Sequence, residues 1–168
     1  MSRLIECVPN FSEGRDPAVI EAITATIEAS EGINLLDVDP GFATHRTVVT
    51  FVGEPERVLD AAVAAAKKAL ALIDMSQHQG EHPRFGAMDV CPLVPVAGIT
   101  MEETVVYARA LAKRLGEEAG MTIYCYEEAA LCPERQNLAH VRSGEYEGLA
   151  ALLAPPHVSP LFSPSAFN

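Results

Sequence analysis

Two strand patterns that follow one another directly between two helix patterns are the feature of this sequence that most constrains its fold. Residues 33–38 and 47–52 are rich in β-branched and other apolar residues, as β-strands are. Apolar residues recur at helical spacing before this pair, from Pro17, and again after it, from Pro55. This order indicates an α+β fold.

The rest of the chain extends the order to strand, helix, strand, strand, helix, irregular strand, helix and strand. Residues 3–9 form the first strand pattern, and residues 90–96 an edge or irregular strand, because prolines interrupt them. A capping box at Thr100–Glu103 begins the third helix, which Gly120 ends before a strand pattern at 122–126. The order is typical of a ferredoxin-like split β-α-β sandwich, with an antiparallel or mixed sheet and helices on one face. A Rossmann sheet is disfavoured, because no glycine-rich turn joins a strand to a helix.

The length of the chain limits the number of domains, and its charge limits the classes of partner that it can bind. The 168 residues suit one domain, which we place at residues 1–154, followed by a tail at residues 155–168 whose prolines and serines predict an extended chain. Twelve basic and 23 acidic residues give a formal charge of −11. So acidic a chain lacks the Lys/Arg surface that binds nucleic acids or anionic membranes, and we expect neither as a partner. An anionic ligand would need a few local arginines.

The lack of CxxC pairs and of long apolar runs in this sequence predicts a cytoplasmic location. The four cysteines include no CxxC pair, which is the spacing of zinc sites and redox dithiols, and reduced thiols are typical of the cytosol. The first residues contain no apolar run of signal-peptide length. The longest apolar stretch, residues 61–73, contains Lys67 and Lys68 and is shorter than the ~20 residues that span a bilayer.

A long segment without helix or strand periodicity, residues 75–89, is the strongest candidate for function. Loops of this length inside a compact domain are uncommon and often functional. Its polar centre, residues 77–84, contains two histidines. His82 is a candidate general acid and base, because the ordinary pKa of histidine, about 6.5, lies near neutral pH. Solvated histidines in a polar loop would show the same spacing, so both interpretations stay open.

The same segment also contains an inverted zinc-protease pattern, His78-x-x-Glu81-His82. That pattern binds metal only on a helix, where both histidines share one face. Gly80 weakens such a helix, and Pro83 moves His82 away from helical backbone angles. We therefore predict no metal site.

Further candidate residues lie at the ends of predicted strands. Asn10 follows the first strand, in a segment that could equally be a plain turn. The turn signal Asp39-Pro40-Gly41 closes the second strand, and the aspartate faces either a ligand or solvent. Arg46 and Arg84 are the basic groups nearest to these loops, and in so acidic a chain they are candidates to bind an anionic ligand, although loop arginines are more often solvated.

Six segments along the chain are long enough to identify a family. They are ECVPNFSEG from residue 6, DVDPG from residue 37, RTV from residue 46, FVG from residue 51, GEHPRFGAMDVCP from residue 80 and RSGEYE from residue 142. They resemble the N-terminal subdomain of glutamate formiminotransferase, and the resemblance extends almost from end to end. In that family the subdomain is a ferredoxin-like unit, in agreement with the order of strands and helices.

The resemblance implies a reaction and the residues around it. The family transfers a formimino group between N-formimidoyl-glutamate and tetrahydrofolate in histidine breakdown, so tetrahydrofolate is the expected cosubstrate. The catalytic base of the family corresponds to His82. Its folate lies in a tunnel between two subdomains, where loops matching those around Asn10, Asp39 and His82 form one wall. The tail containing Ser163 and Ser165 resembles the start of a segment that touches folate in the family.

Charge matching suggests roles for the other candidate substrate-binding residues. Asp39 would hold the cationic amidine or orient the imidazole of His82. Arg46 or Arg84 would pair with a substrate carboxylate. Asp89 lies in the longest matching segment, and we expect it to contribute to substrate binding.

The family pattern also implies a partner, because it continues into a second subdomain beyond the position of Asn168. A groove that lacks its second half exposes apolar surface, which favours association. Three arrangements follow: a separately encoded second half, a homodimer, or a non-catalytic folate-binding or interaction protein. The intact segment 80–89 favours retained ligand binding or catalysis, with either a formimino or a formyl group as the transferred unit.

Overall fold

The computed structural model describes residues 2–153 of the chain. This part contains a six-stranded sheet, five α-helices and 3₁₀ turns at Glu127–Ala129 and Pro133–Arg135. The strands are β1 (Leu4–Cys7), β2 (Asn10–Phe11), β3 (Ile33–Gly41), β4 (Arg46–Gly53), β5 (Met88–Val90) and β6 (Leu93–Ala97). The helices are α1 (Pro17–Glu28), α2 (Pro55–Leu72), α3 (Met101–Ala119), α4 (Leu138–Val141) and α5 (Glu145–Leu153).

Local side-chain chemistry fixes the ends of the helices. The Asp16 carboxylate caps α1 by accepting from the Ala18 N–H at 2.9 Å. At α3, the Thr100 hydroxyl accepts from the Glu103 N–H and the Glu103 carboxylate accepts from the Thr100 N–H, which confirms the predicted capping box. Gly120 ends α3 in a left-handed conformation, with φ of 67°. Within the described residues, no helix combines the length and apolarity needed to cross a bilayer.

The sheet is antiparallel at every pairing of its strands. β4 is central: β3 lies along one side of it, and β1 and β2 lie end to end along the other. β6 pairs with β1 and β5 pairs with β2, so these two short strands form the second edge. The predictions of an α+β fold and of an irregular edge strand near residue 92 are confirmed.

Alternate residues of β4 separate two faces of the sheet that differ in burial. Val49 and Phe51 are buried in one core with side chains of α1, α2 and α3, and we call this side the helix-covered face. Val48 and Val52 point the other way and remain partly exposed, which defines the partly exposed face. Stability is therefore concentrated on one face, and the other is accessible to a ligand.

β3 is longer than its sequence pattern predicts. The predicted turn at residues 39–41 is wrong, because these residues pair with Val48, Thr47 and Arg46 of β4. The turn occupies residues 42–45 instead. A proline without an N–H is tolerated at position 40 because β3 is an edge strand. The correction places Asp39 on a strand rather than in a loop.

The predicted strand at residues 122–126 is also not formed. Ile123 makes an isolated bridge, and the residues around it have no ladder in the described part of the chain. β-branched and aromatic residues suit a pleated surface, but a strand also needs a partner along its length. The same segment lines a cavity against α3 instead.

Candidate functional site

Polar residues of the partly exposed face converge where β4 lies beside β2 and β5. Asn10 and Asp39 both pair with Val48 of β4, so the three residues form one row across the sheet. Arg46 lies two residues before Val48 and therefore on the same face. Asp89 of β5 contacts this arginine from the neighbouring edge strand.

Arg46 is held by hydrogen bonds to two different strands. Its Nε donates to Asn10 Oδ1 at 2.8 Å, and its Nη1 donates to Asp89 Oδ2 at 3.0 Å. Asn10 is itself oriented by its Nδ2, which donates to the Val8 carbonyl at 2.9 Å. The Arg46 side chain is 13% exposed, and burial lowers its pKa from the ordinary value, while Asp89 acts in the opposite direction. The guanidinium is thus fixed in position.

Asp89 is a buried carboxylate shared by two arginines. Its side chain is 1% exposed. Oδ2 accepts from Arg46, and Arg142 Nη2 approaches the same oxygen at 2.9 Å. Oδ1 accepts from the backbone N–H of Phe85 at 2.6 Å. Two cations on one anion leave one net positive charge in a chain whose formal charge is −11.

His82 lies against the Arg46 guanidinium. Arg46 Nη1 is 2.8 Å from His82 Nδ1 and 3.3 Å from Nε2, and Nδ1 is also 2.6 Å from the Pro83 carbonyl. An arginine only donates and a carbonyl only accepts. Nδ1 therefore cannot serve both partners. When Nδ1–H donates to Pro83, Arg46 can donate only to Nε2, and its 2.8 Å approach to Nδ1 is not a hydrogen bond. Nε2 is then the basic atom of the ring. We call Asn10, Arg46, His82, Asp89 and Arg142 the arginine cluster.

His78, the other histidine of this segment, holds the backbone rather than a ligand. Its Nε2 donates to the His45 carbonyl at 2.8 Å, and its Nδ1 accepts from Arg84 Nε at 3.1 Å. Both ring nitrogens are therefore used, and the ring is buried. No group of three or more potential metal ligands occurs among residues 2–153. The zinc-protease pattern would need a free nitrogen on His78, and both are used in this arrangement.

Arg84 clamps the loop to α5 and lies outside the arginine cluster. Besides its bond to the His78 ring, it donates to the His78 carbonyl and to the carboxylates of Glu145 and Glu147. These five hydrogen bonds match the five N–H groups of a guanidinium. The predicted contact of Arg84 with a substrate carboxylate would require this clamp to open.

Two positions in the loops around the site, Gly14 and Gly80, lie too close to neighbouring segments to carry a side chain. A Cβ at Gly80 would lie 2.8 Å from the Cβ of His45, and one at Gly14 would lie 2.6 Å from the backbone nitrogen of Arg46. Side-chain atoms do not fit at such distances. The Glu81 N–H also donates to the Ala43 carbonyl at 3.2 Å. The loop before His82 is thereby pressed against the turn before β4.

His45 completes this contact in a left-handed backbone conformation, with φ of 51°. Its Nδ1 accepts from the Gly14 N–H at 3.1 Å, and Glu13 Oε1 lies 3.3 Å from the same nitrogen. A single nitrogen cannot accept from one and donate to the other. Burial lowers the pKa of His45, while Glu13 opposes this shift. The neutral ring therefore keeps the bond to Gly14.

The structure gathers some of the predicted site residues and separates others. Asn10, His82 and Asp89 each contact Arg46. Asp39 is exposed in the same row as Asn10, two strand spacings or about 10 Å away. The predictions at Ser163 and Ser165, like the tail at 155–168, lie outside the described residues.

Sequence reasoning missed Arg142 as a member of the site. This residue follows α4, far along the chain from Asp89, and its side chain is 16% exposed. Its Nε is buried and has no hydrogen-bond partner in the described part of the chain. The segment RSGEYE, which begins at Arg142, carried a signal of family resemblance but not of charge pairing.

A second concave region includes Asp89 and Arg142 in its lining. It is an apolar cavity of about 610 Å³ between α2, α3 and residues 121–129. His82, Arg46 and Asn10 do not line it. Of the arginine cluster only Asp89 and Arg142 reach its walls, which lack the basic nitrogen of His82. The cluster is therefore the better candidate for chemistry on a polar substrate.

Replacing Asp89 with Asn should leave two buried guanidiniums without a counter-ion while keeping an acceptor for Phe85. Breaking a buried ion pair in this way typically costs about 3–5 kcal/mol. We expect urea unfolding of Asp89→Asn to show a loss of this order. Asp37→Asn, an exposed change on β3, is the control and should stay close to wild type. Equal unfolding curves for the two variants would show that Asp89 does not anchor the cluster.

Acidification should weaken the fold through His45. Its pKa is lowered in the folded state, so the unfolded chain takes up a proton first and stability falls as pH drops below about 6.5. Unfolding free energy should therefore decline less between about pH 7 and 5.5 in His45→Asn than in wild type. Asparagine tolerates the positive φ, and His140→Asn, an exposed change, should keep the wild-type slope. An unchanged slope in His45→Asn would contradict this assignment.

Comparison with known proteins identifies the family. Residues 4–168 match the model of the formiminotransferase domain, N-terminal subdomain. Formimidoyltransferase-cyclodeaminase of Mus musculus is 54% identical over 167 residues, which are 99% of this chain and 31% of that protein. Glutamate formimidoyltransferase of Streptococcus pyogenes serotype M1 is 46% identical over 149 residues, 89% of this chain and 50% of that protein.

An archaeal relative extends the match. Glutamate formimidoyltransferase of Thermoplasma acidophilum is 45% identical over 164 residues, which are 96% of this chain and 54% of that protein. The chain thus spans about a third to a half of the length of these relatives. Identity at this level over nearly the whole chain confirms the resemblance seen in the sequence: the chain belongs to the formiminotransferase family, as its N-terminal subdomain.

Proposed function

We propose that this chain provides the histidine-bearing half of a folate-dependent formimino-transfer site, acting on N-formimidoyl-glutamate and tetrahydrofolate. The observation that carries the proposal is the arginine cluster, which holds His82 on the accessible face with one net positive charge. The names of the relatives support the reaction class, since they are glutamate formimidoyltransferases and formimidoyltransferase-cyclodeaminases.

Proton transfer is the role we assign to His82. The N5 amine of tetrahydrofolate attacks the formimidoyl carbon, and its nitrogen becomes acidic as the new C–N bond forms. His82 Nε2 takes this proton once Arg46 turns from it to the substrate, and returns the proton to the glutamate nitrogen as the old C–N bond breaks. The bond from Nδ1 to the Pro83 carbonyl keeps the ring in the tautomer that this requires. Positioned acid–base catalysis of this kind contributes roughly 10²- to 10⁴-fold.

Charge placement suggests how the substrates are held. Arg46 and Arg142 exceed Asp89 by one charge, so the cluster attracts a carboxylate that the acidic chain as a whole repels. We assign the cationic amidine to Asp39, which is exposed in the same row of the sheet, about 10 Å across β4. A dipolar substrate would then lie along the row, with its formimidoyl carbon between Asp39 and His82.

The second half of the site would cover the partly exposed face. The antiparallel order of the sheet supports the ferredoxin-like arrangement, in which two helices pack on one side and leave the other open. Val94 and Val96 of β6 are exposed apolar residues of the second edge strand. We propose residues 1–154 as one subdomain, completed by a second subdomain, by a partner chain or by a second copy. We also propose a cytoplasmic location, in which the free thiols of the described cysteines would stay reduced.

Replacement of His82 by Ala is the direct test. We expect the formimino-transfer rate to fall by about 10²- to 10⁴-fold while affinity for folinic acid changes little, because Arg46 and Arg142 would remain. Calorimetric titration with folinic acid and a transfer assay would be run on the chain alone and with the C-terminal half of a glutamate formimidoyltransferase added.

Glu81→Ala, an exposed change beside His82, is the matched control and should keep wild-type binding and rate. Transfer only in the mixture would support the partner requirement. Full activity in His82→Ala would overturn the role of the histidine. Binding without transfer in both preparations would favour the non-catalytic folate-binding alternative.

A further inference from the structure

Two cysteines from distant parts of the sequence lie in direct contact beneath the site. Cys7 Sγ and Cys91 Sγ are 3.5 Å apart. Cys7 ends β1, where it pairs with Leu93 of β6, and Cys91 occupies the gap between β5 and β6. The Val8 N–H donates to the Pro92 carbonyl at 3.1 Å, which holds the two segments together. The thiols are therefore neighbours because of the sheet register.

We propose that Cys7 and Cys91 form a peroxide-sensitive dithiol, an oxidative modification site that closes into a disulfide. The Cys91 thiolate attacks the oxygen of a hydroperoxide, which gives a sulfenic acid and releases water or an alcohol. The Cys7 sulfur then attacks the sulfenic sulfur, the S–S bond forms and a second water leaves. Two thiols and one peroxide thus give one disulfide, and a cellular dithiol or glutathione reverses the change.

The different exposure of the two thiols to a small oxidant explains why Cys91 reacts first and Cys7 second. Cys91 is only partly buried and lines the cavity of about 610 Å³, so a small oxidant can reach it. Cys7 is fully buried, and burial raises the pKa of its thiol well above the ordinary value, so it is protected from direct attack. Once Cys91 is oxidised, Cys7 is the adjacent thiol that completes the bond.

The geometry requires only a small movement. A disulfide has an S–S distance of about 2.05 Å, so the two sulfurs must approach by about 1.5 Å. Cys91 lies between two short edge strands rather than within one, and its backbone can shift more easily than that of a paired residue. Among the residues described, Cys125 and Cys132 form no such thiol pair.

The disulfide would change the geometry of the arginine cluster. Cys91 lies two residues after Asp89, whose carboxylate holds Arg46 and Arg142. Drawing Cys91 toward β1 would displace this carboxylate. This consequence rests on the proposed function, and we expect oxidation to weaken folinic acid binding until a reductant restores it.

Mass spectrometry of the folded chain tests the modification independently of any activity. After treatment with equimolar hydrogen peroxide, the wild-type chain should lose about 2 Da, as two thiols become a disulfide. Trypsin should then yield residues 4–15 linked to residues 85–109, each of which contains one cysteine. Far-ultraviolet circular dichroism before and after oxidation shows whether the chain stays folded.

Two variants and a control separate the steps. Cys7→Ser should stop at a sulfenic acid on Cys91 that dimedone traps, and Cys91→Ser should form no disulfide. Cys132→Ser should behave as wild type. Four unmodified thiols in the peroxide-treated wild type, or a link between other cysteines, would overturn the proposal. Folinic acid binding that is present but unaffected by the disulfide would overturn only its effect on the site, whereas absent binding would count against the proposed function instead.

Discussion

The shared carboxylate of Asp89 is the interaction on which the site depends. It is almost fully buried, and it joins Arg46 on the central strand, Arg142 beyond α4 and the Phe85 backbone of the long loop. Three distant segments are therefore positioned by one side chain. A buried anion is tolerated only when it is paired and hydrogen-bonded, and here both oxygens are occupied. Because two guanidiniums share it, the site stays positive within an acidic chain.

The two faces of the sheet have different tasks. The helix-covered face buries Val49 and Phe51 with three helices and provides the stability of the fold. The partly exposed face contributes little to burial, which leaves its side chains available for a ligand. The loop that presents His82 does not depend on secondary structure of its own, because Gly80, His78 and Arg84 tie it to the turn before β4 and to α5. Side-chain hydrogen bonds and close packing thus hold this irregular loop in place of a strand ladder.

Much of this arrangement could be predicted from the sequence, and the rest could not for physical reasons. Capping residues and β-branched runs act locally, so the start of α1, both ends of α3 and β4 were predictable. The turn predicted at residues 39–41 failed because pairing with β4 outweighs local turn preference. Arg142 was missed and Arg84 was given a different partner, because a sequence shows a charge but not what the charge faces. The roles of His82 and Asp39 stay predictions.

The account's central claim is that the arginine cluster on the partly exposed face is where folate chemistry takes place. Nuclear magnetic resonance of the ¹⁵N-labelled chain during titration with folinic acid tests it most directly. We predict that the Arg46 side-chain Nε–H signal and the amides of Asn10 and Val48 shift, while Leu111 and Leu115 in the apolar cavity do not. Shifts confined to Leu111 and Leu115, or none at millimolar ligand, would contradict the claim.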